Sequence, residues 1–336
     1  MTMQFVGTVA RTPGAVAIYL LALALSGCAQ TTSQTTTAPA TTPPAAETQK
    51  PVAPATTAAP AAGPAAGPAA AAAKTPKALT ATSPDGTKIA YEKAGSGPAL
   101  MLLHGGGQTR RSWNERGYVD RLSKRFTVIT VDLRGNGDSD KPDTAEGYAL
   151  DAVLADLVAV ADAAGAKRFH LWGFGHGASI GRYLAARSDR VISAVLVAAD
   201  MGPTLSGPVK EAILGMRAKW RPLLDQQKAG TLNLQTMSPG DRDAWNSGVA
   251  RQAVALGALV DYPPLEPAEI KVPTLWLIGA ADVSGLENAK KYEGKLAGTN
   301  VTLKHVSGLS YSDSFARIEP ILTEVEPFLA ANPGTN

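Results

Sequence analysis

From about residue 78 onward, short apolar runs alternate with longer stretches whose apolar positions recur at helical spacing. ALMLL (99–103), FTVITVD (126–132), RFHLW (168–172), VISAVLVAA (191–199) and PTLWLIG (273–279) read as strands of a parallel sheet covered on both faces, and VTLKHV (301–306) reads as a further strand. ALTAT and TKIAYEK flank Pro84-Asp85-Gly86 and predict a hairpin at the start. Helices are expected at about 110–124, 149–164, 176–187, 284–296 and 315–330. Between residues 201 and 268 the alternation breaks, with helical patterns near 208–228 and 240–257 and no clear strand. The pattern predicts an α/β fold. Its sheet is mostly parallel and doubly wound, with a small helical cap inserted over the strands' C-terminal edge.

The first quarter of the chain has a different texture. Residues 29–76 are a tract of Ala, Thr, Pro, Gly and Gln that holds almost nothing large and apolar to bury. A tether of that length, largely extended, would reach on the order of 100–150 Å. Before it, Arg11 precedes an apolar stretch from Ala15 to Leu25, too short for a transmembrane helix, and Leu25-Ser26-Gly27-Cys28 follows. This resembles a bacterial lipoprotein signal. The resemblance implies cleavage before Cys28, acylation of that residue and a bilayer as partner. Ala29 in place of Asp points, by the same resemblance, to the outer membrane facing the periplasm. The expected organisation is therefore a signal (1–27), a tether (28–76), a core in two pieces (77–200 and 269–334) and a cap (201–268).

Composition narrows the partners. Lys and Arg number 32 against 29 Asp and Glu, a balance that gives no reason to expect nucleic acid. Cys28 is the only cysteine, which excludes an intramolecular disulfide and a thiolate metal cluster. No cofactor or metal is expected, and protein partners are unspecified.

Three motifs carry chemistry. HGGG (104–107) follows a strand, and its glycines let a backbone N–H approach a developing oxyanion. DLRGNGDSDKP (132–142) follows the next strand, with Gly135 and Gly137 permitting a tight turn. HLWGFGHGASIG (170–181) reads as strand, sharp turn and helix. In this order the motifs resemble the α/β-hydrolase family over about residues 80–330. The resemblance implies a Ser–Asp–His triad after successive strands. The nucleophile slot is Gly175, nine residues before Leu184-Ala185-Ala186-Arg187. The acid slot is Asp282, which reads equally as an orienting carboxylate or a helix cap. The base slot is Tyr311, a hydrogen-bond donor at neutral pH and not a base. Gly106 and His176 would supply the oxyanion donors.

Two side chains offer displaced chemistry. Ser179 sits in a second G-x-S-x-G frame (177–181), but one turn into the helix. His176 stands beside the nucleophile slot and reads as a relocated base or nucleophile, as a helix cap, or as a pocket-lining residue. His104, His170 and His305 read as structural. Losing a triad costs about a million-fold in turnover. The expectation is therefore a lipid-anchored α/β-hydrolase fold without serine hydrolysis that binds a small apolar or carbonyl ligand or an envelope partner. The alternative is an active hydrolase acting on an ester or related carbonyl through displaced residues. Met216, Trp220, Trp245 and Tyr262 in the cap read as pocket lining or as simple packing.

Overall fold

The computed structural model describes residues 78–334, except 247, 249, 251, 252 and 254–256. The signal, Cys28 and the tether lie outside the described residues. Among the described residues no helix is long and apolar enough to cross a membrane.

Eight strands form one sheet: β1 (Leu79–Thr82), β2 (Lys88–Ala94), β3 (Ala99–Leu103), β4 (Thr127–Val131), β5 (Phe169–Phe174), β6 (Val191–Val197), β7 (Thr274–Gly279) and β8 (Val301–Val306). Their order is β1-β2-β4-β3-β5-β6-β7-β8. β2 runs antiparallel to both neighbours, and every pairing from β4 to β8 is parallel. The chain reverses direction across the sheet at β3, so the loops after β3 and β5 meet at the strands' C-terminal edge, where parallel sheets place ligands.

Both faces of the sheet are covered. Met101 and Leu103 of β3 pack into one apolar layer, and Leu100 and Leu102 pack into the other. The same sorting holds for Ala194 and Leu196 against Val195 and Val197 in β6. A strand with period-two side chains buried both ways must read as an unbroken apolar run, as these do. The first layer is closed by α3 (Leu150–Ala163) and α4 (His176–Arg187). The second is closed by α1 (Arg111–Glu115), α2 (Tyr118–Leu122) and the C-terminal pair α8 (Asp313–Ala316) and α9 (Ile318–Ala331). Trp113, Tyr118, Trp172 and Phe315 pack there edge-on and stacked, with ring centroids 4.9–5.8 Å apart.

The helix expected over 110–124 is in fact two short helices. Gly117 separates them with φ +81°, a left-handed residue that ends one helix and redirects the next. The final helix likewise breaks at Arg317, between α8 and α9. α7 (Val283–Tyr292) begins one residue earlier than expected and hands over to a tighter turn at Glu293–Lys295.

The insertion after β6 contains α5 (Gly207–Lys228) and α6 (Pro239–Asn246). Its two ends meet where Gly202 and Leu265 exchange backbone hydrogen bonds of 2.8 and 3.0 Å. Trp220 packs with Ala250 and Ala253, and Met216 and Trp245 rest against them, so these aromatics form the insertion's own small core. Tyr262 packs edge-on against Tyr183 and donates its hydroxyl to the Tyr148 carbonyl at 2.8 Å, pinning the insertion's exit to the core.

Candidate functional site

The turn between β5 and α4 is a single residue, Gly175, with φ +48° and ψ −112°. Only glycine adopts this region freely. The turn is tied on both sides. Gly175 N–H donates to the Val197 carbonyl at the end of β6, and the Gly175 carbonyl accepts from Ser179 N–H, each at 2.9 Å. A Cβ built on Gly175 would overlap the Tyr311 hydroxyl and stand 3.2 Å from Tyr311 Cζ. The phenol oxygen thus fills the space in which a side chain at residue 175 would begin.

The loop after β3 is held by two side chains. Gly105 N–H donates to Gln108 Oε1 at 2.9 Å. Leu133 N–H donates to His104 Nε2 at 3.1 Å, so Nδ1 carries the ring proton and donates to the Gly105 carbonyl at 2.8 Å. His104 is fully enclosed, and burial holds its pKa below the usual range, so the ring is a neutral strut. Gly106 then stands beside the elbow, where a Cβ on it would lie 3.8 Å from His176 Cβ. The N–H groups of Gly106 and His176 have no hydrogen-bond partner among the described residues. His176 opens α4, so its N–H is among those a helix leaves unpaired and partly positive. Two such donors suit a carbonyl or oxyanion oxygen.

The His176 ring makes no hydrogen bond among the described residues, and no carboxylate orients it. Burial, and then its neighbour His104, lower its pKa to about 4, so it is neutral at pH 7. Ser179 lies within α4, one turn beyond the elbow, where its carbonyl accepts from Arg182 Nε at 3.3 Å. Asp282 caps α7: its Oδ1 accepts from Gly285 N–H at 3.1 Å and from the Ser284 hydroxyl at 3.3 Å. Tyr311, in the loop between β8 and α8, is 44% exposed as a residue, yet its hydroxyl end is sunk against Gly175. Its ring lies tilted on Phe174 with centroids 5.1 Å apart. Burial, then the charges of Asp282 and Asp200, raise its pKa to about 12, so it is a permanent donor at neutral pH.

Sequence reasoning passed over Asp200. It follows β6, the strand beside the elbow, and its carboxylate is pushed up to about 6, first by burial and then by the balance among Arg182, Asp282 and Lys291. The available signal was an acid just past the C-terminal end of a buried strand. The other histidines stand apart. His170 is buried and bonds Ser193 Oγ through Nδ1 at 2.9 Å, and His305 is exposed on β8. A groove of about 740 Å³, lined by Leu154, Val158, Leu184 and Arg187, lies at the far end of α4 from the elbow and takes no part in the site. Among the described residues no group of three or more His, Cys, Asp or Glu side chains is placed to hold a metal ion.

The loop after β4 shows why its motif is needed. Arg110 is buried and binds Glu92 through Nε at 2.9 Å, Asp132 through Nη1, and Asp138 through Nη2 at 2.8 Å. A side chain on Gly137, at φ +50°, would overlap the Asp132 carboxylate. Arg134 grips both oxygens of Asp156 at 2.5 Å. Ser139 Oγ donates to the Asp132 carbonyl at 2.6 Å and accepts from Ala90 N–H at 2.8 Å. These contacts bind the loop to β2, α1 and α3.

A family model described as alpha/beta hydrolase fold matches residues 98–252. An uncharacterised protein of Mycobacterium bovis is 33% identical over 130 residues, 38% of this chain and 37% of that protein. A fluoroacetate dehalogenase of a Burkholderia species is 38% identical over 114 residues, 33% of this chain and 36% of that enzyme. The chain therefore matches little more than a third of the length of these relatives. A solved structure from work on epoxide hydrolases in hot-environment metagenomes superposes with a TM-score of 0.59 at 22% identity, covering 76% of this chain and 99% of that one. With the strand order, these likenesses show that the chain has the α/β-hydrolase fold.

Proposed function

We propose, taking the α/β-hydrolase fold as premise, that this chain is a lipid-anchored protein of the bacterial envelope that binds a small carbonyl compound at its elbow and does not perform serine hydrolysis. The observation that carries this reading is the Tyr311 hydroxyl in the space of a residue-175 side chain. No nucleophile stands there, and a phenol with a pKa raised to about 12 is no substitute for an imidazole base. The two free N–H donors of Gly106 and His176 survive, and they favour a carbonyl oxygen as ligand atom. Asp282, engaged as a helix cap, serves α7 and not a histidine.

A fluorophosphonate probe should leave the purified protein unlabelled, and labelling mapped to Ser179 would refute the proposal. Gly175→Ser combined with Tyr311→His should create esterase activity on short nitrophenyl esters. Complete inactivity of that folded double variant would show that the pocket no longer admits a carbonyl substrate. Anchoring is tested by metabolic labelling with palmitate: Cys28→Ala should abolish label and release the protein from the membrane fraction.

A second reading, an active hydrolase with displaced residues, draws on the dehalogenase and epoxide hydrolase names among the relatives. His176 would be its base, neutral above pH 4 but without an orienting partner. Ester turnover that disappears in His176→Ala would favour it.

A further inference from the structure

The chain is strained just past β6. Ala198 has φ +52° and is the only non-glycine residue with positive φ among the described residues. Such a conformation persists only where its surroundings impose it, and it concentrates at functional sites. Five hydrogen bonds hold this residue and the three that follow it. Ala198 N–H donates to the Leu277 carbonyl at 2.9 Å, and Trp276 Nε1 donates to the Ala199 carbonyl at 2.8 Å. Arg182 Nη1 donates to the Asp200 carbonyl at 2.6 Å. Asn288 closes the segment, accepting from Met201 N–H at 2.8 Å and donating to the Met201 carbonyl at 3.1 Å.

All five bonds use backbone atoms of residues 198–201, and the Asp200 carboxylate takes none of them. It accepts no hydrogen bond among the described residues. A backbone fixed this firmly presents a free carboxylate, one strand away from the elbow. The charged and titratable groups facing it are Arg182 of α4, Asp282 at the start of α7, Lys291 within α7, and Tyr311 from the loop after β8.

We propose that Asp200 is a general base and Tyr311, with the N–H groups of Gly106 and His176, an oxyanion clamp, so that the site removes and returns a proton α to the carbonyl of a bound ketone or β-keto ester. This rests on the reading of the elbow as a carbonyl pocket. In the forward step the α C–H bond breaks and its proton passes to the Asp200 carboxylate. The C–H electron pair forms the C=C bond of an enolate, and the carbonyl π pair moves onto oxygen. The Tyr311 O–H and the two N–H groups hold that oxygen. Return of the proton from Asp200 to either face or to a conjugated carbon restores the carbonyl. Atoms and charge balance without a further reactant.

The two side chains have the complementary environments such chemistry needs. Asp200, near 6, is ionised at neutral pH yet basic enough to accept a proton, and Tyr311, near 12, keeps its own. Carboxylate bases and protonated oxygen donors set apart in this way are the signature of acid–base sites. Tyr311 is 44% exposed and Val283, next to Asp282, is 72% exposed, so two residues at the site reach solvent.

The test is hydrogen–deuterium exchange at the α-carbons of cyclohexanone, acetophenone and ethyl acetoacetate, followed by proton NMR in D₂O, with saturation-transfer NMR reporting binding in parallel. At least one probe should exchange faster than in buffer, with a rate that climbs through about pH 6 as Asp200 ionises. Asp200→Asn should cut the enzymatic rate roughly 100-fold or more while binding persists, and Tyr311→Phe roughly 10-fold or more. Melting curves establish that each variant is folded, and the pH profile of the unaltered protein needs no variant. Binding without exchange above buffer, or exchange untouched by Asp200→Asn, overturns the inference and leaves the carbonyl-pocket reading standing. Absence of both binding and exchange overturns the two together.

Discussion

Gly175 and Tyr311 are chemically a pair. The hydroxyl of one fills the space that any side chain on the other would need. Gly175→Ser alone should therefore lose stability twice over, about 1–3 kcal/mol for a non-glycine residue at φ +48° plus a steric term for the displaced phenol. In a Tyr311→His background the second term should vanish. Denaturant unfolding of both single variants and the double variant would show strong non-additivity, because the residues touch. Equal costs in the two backgrounds would mean that Tyr311 swings aside freely. The same scale explains what a sequence cannot display. Glycine at 175 was legible from its nine-residue distance to Leu184, and the phenol at 311 from the motif around it. That the two interlock was not, because nothing in either segment encodes the inward turn of a side chain 136 residues away. Asp200 escaped notice for a related reason. Its significance comes from a strained Ala198 and from bonds to Trp276, Arg182 and Asn288, which are scattered along the chain.

At the level of elements, the loop after β4 is where the fold concentrates its buried charge. Arg110, at the entrance to α1, joins Glu92 of β2 to Asp132 beyond β4, and both carboxylates are buried. Removing the guanidinium would strand two carboxylates, and Arg110→Ala should cost about 3–5 kcal/mol in chemical unfolding. By contrast, Arg121→Ala, which breaks an exposed, solvent-screened pair with Glu326, should cost far less. A similar loss at the two sites would mean that the buried cluster is not what holds the loop. The central strands, β3 to β7, were legible because both of their faces are covered, which forces an unbroken apolar run, whereas β8 exposes Thr302, Lys304 and His305. Helix ends were less so. The break at Gly117 depends on a left-handed backbone that the polar pattern of residues 110–124 does not announce. The DLRGNGDSDKP motif was legible as a turn, but its role as a clasp between β2, α1 and α3 emerges only from the hydrogen bonds of Arg110, Arg134 and Ser139.

At the scale of the whole molecule, burial holds His104, His170 and His176 neutral. Burial, then Arg168, hold His170 at about 4 against an unfolded value near 6.5, and His176 is lowered to about 4 as well. The unfolded chain therefore takes up protons first as pH falls. Stability contributed by these rings is complete above about pH 6.5 and disappears as pH drops toward 4, by at most about 3 kcal/mol for His170. Melting temperatures measured from pH 7 to pH 4 should fall, and His170→Gln should flatten the fall. An unaltered slope would place the acid sensitivity elsewhere. Asp200 opposes this trend, since its raised carboxylate is relieved by protonation as pH drops through about 6. The candidate site thus holds one group that the fold would rather see neutral, as expected where function and stability compete.

The interlock at the elbow also has a bearing on descent. On the proposed reading, a chain in which Tyr311 lies against Gly175 does not gain a serine nucleophile through one change, because a serine side chain meets the phenol. The Gly175→Ser half-step passes through a form of lower stability. The pair therefore works as a ratchet: selection that favoured ester cleavage would find it easier to recruit another oxygen at the elbow than to place one at residue 175.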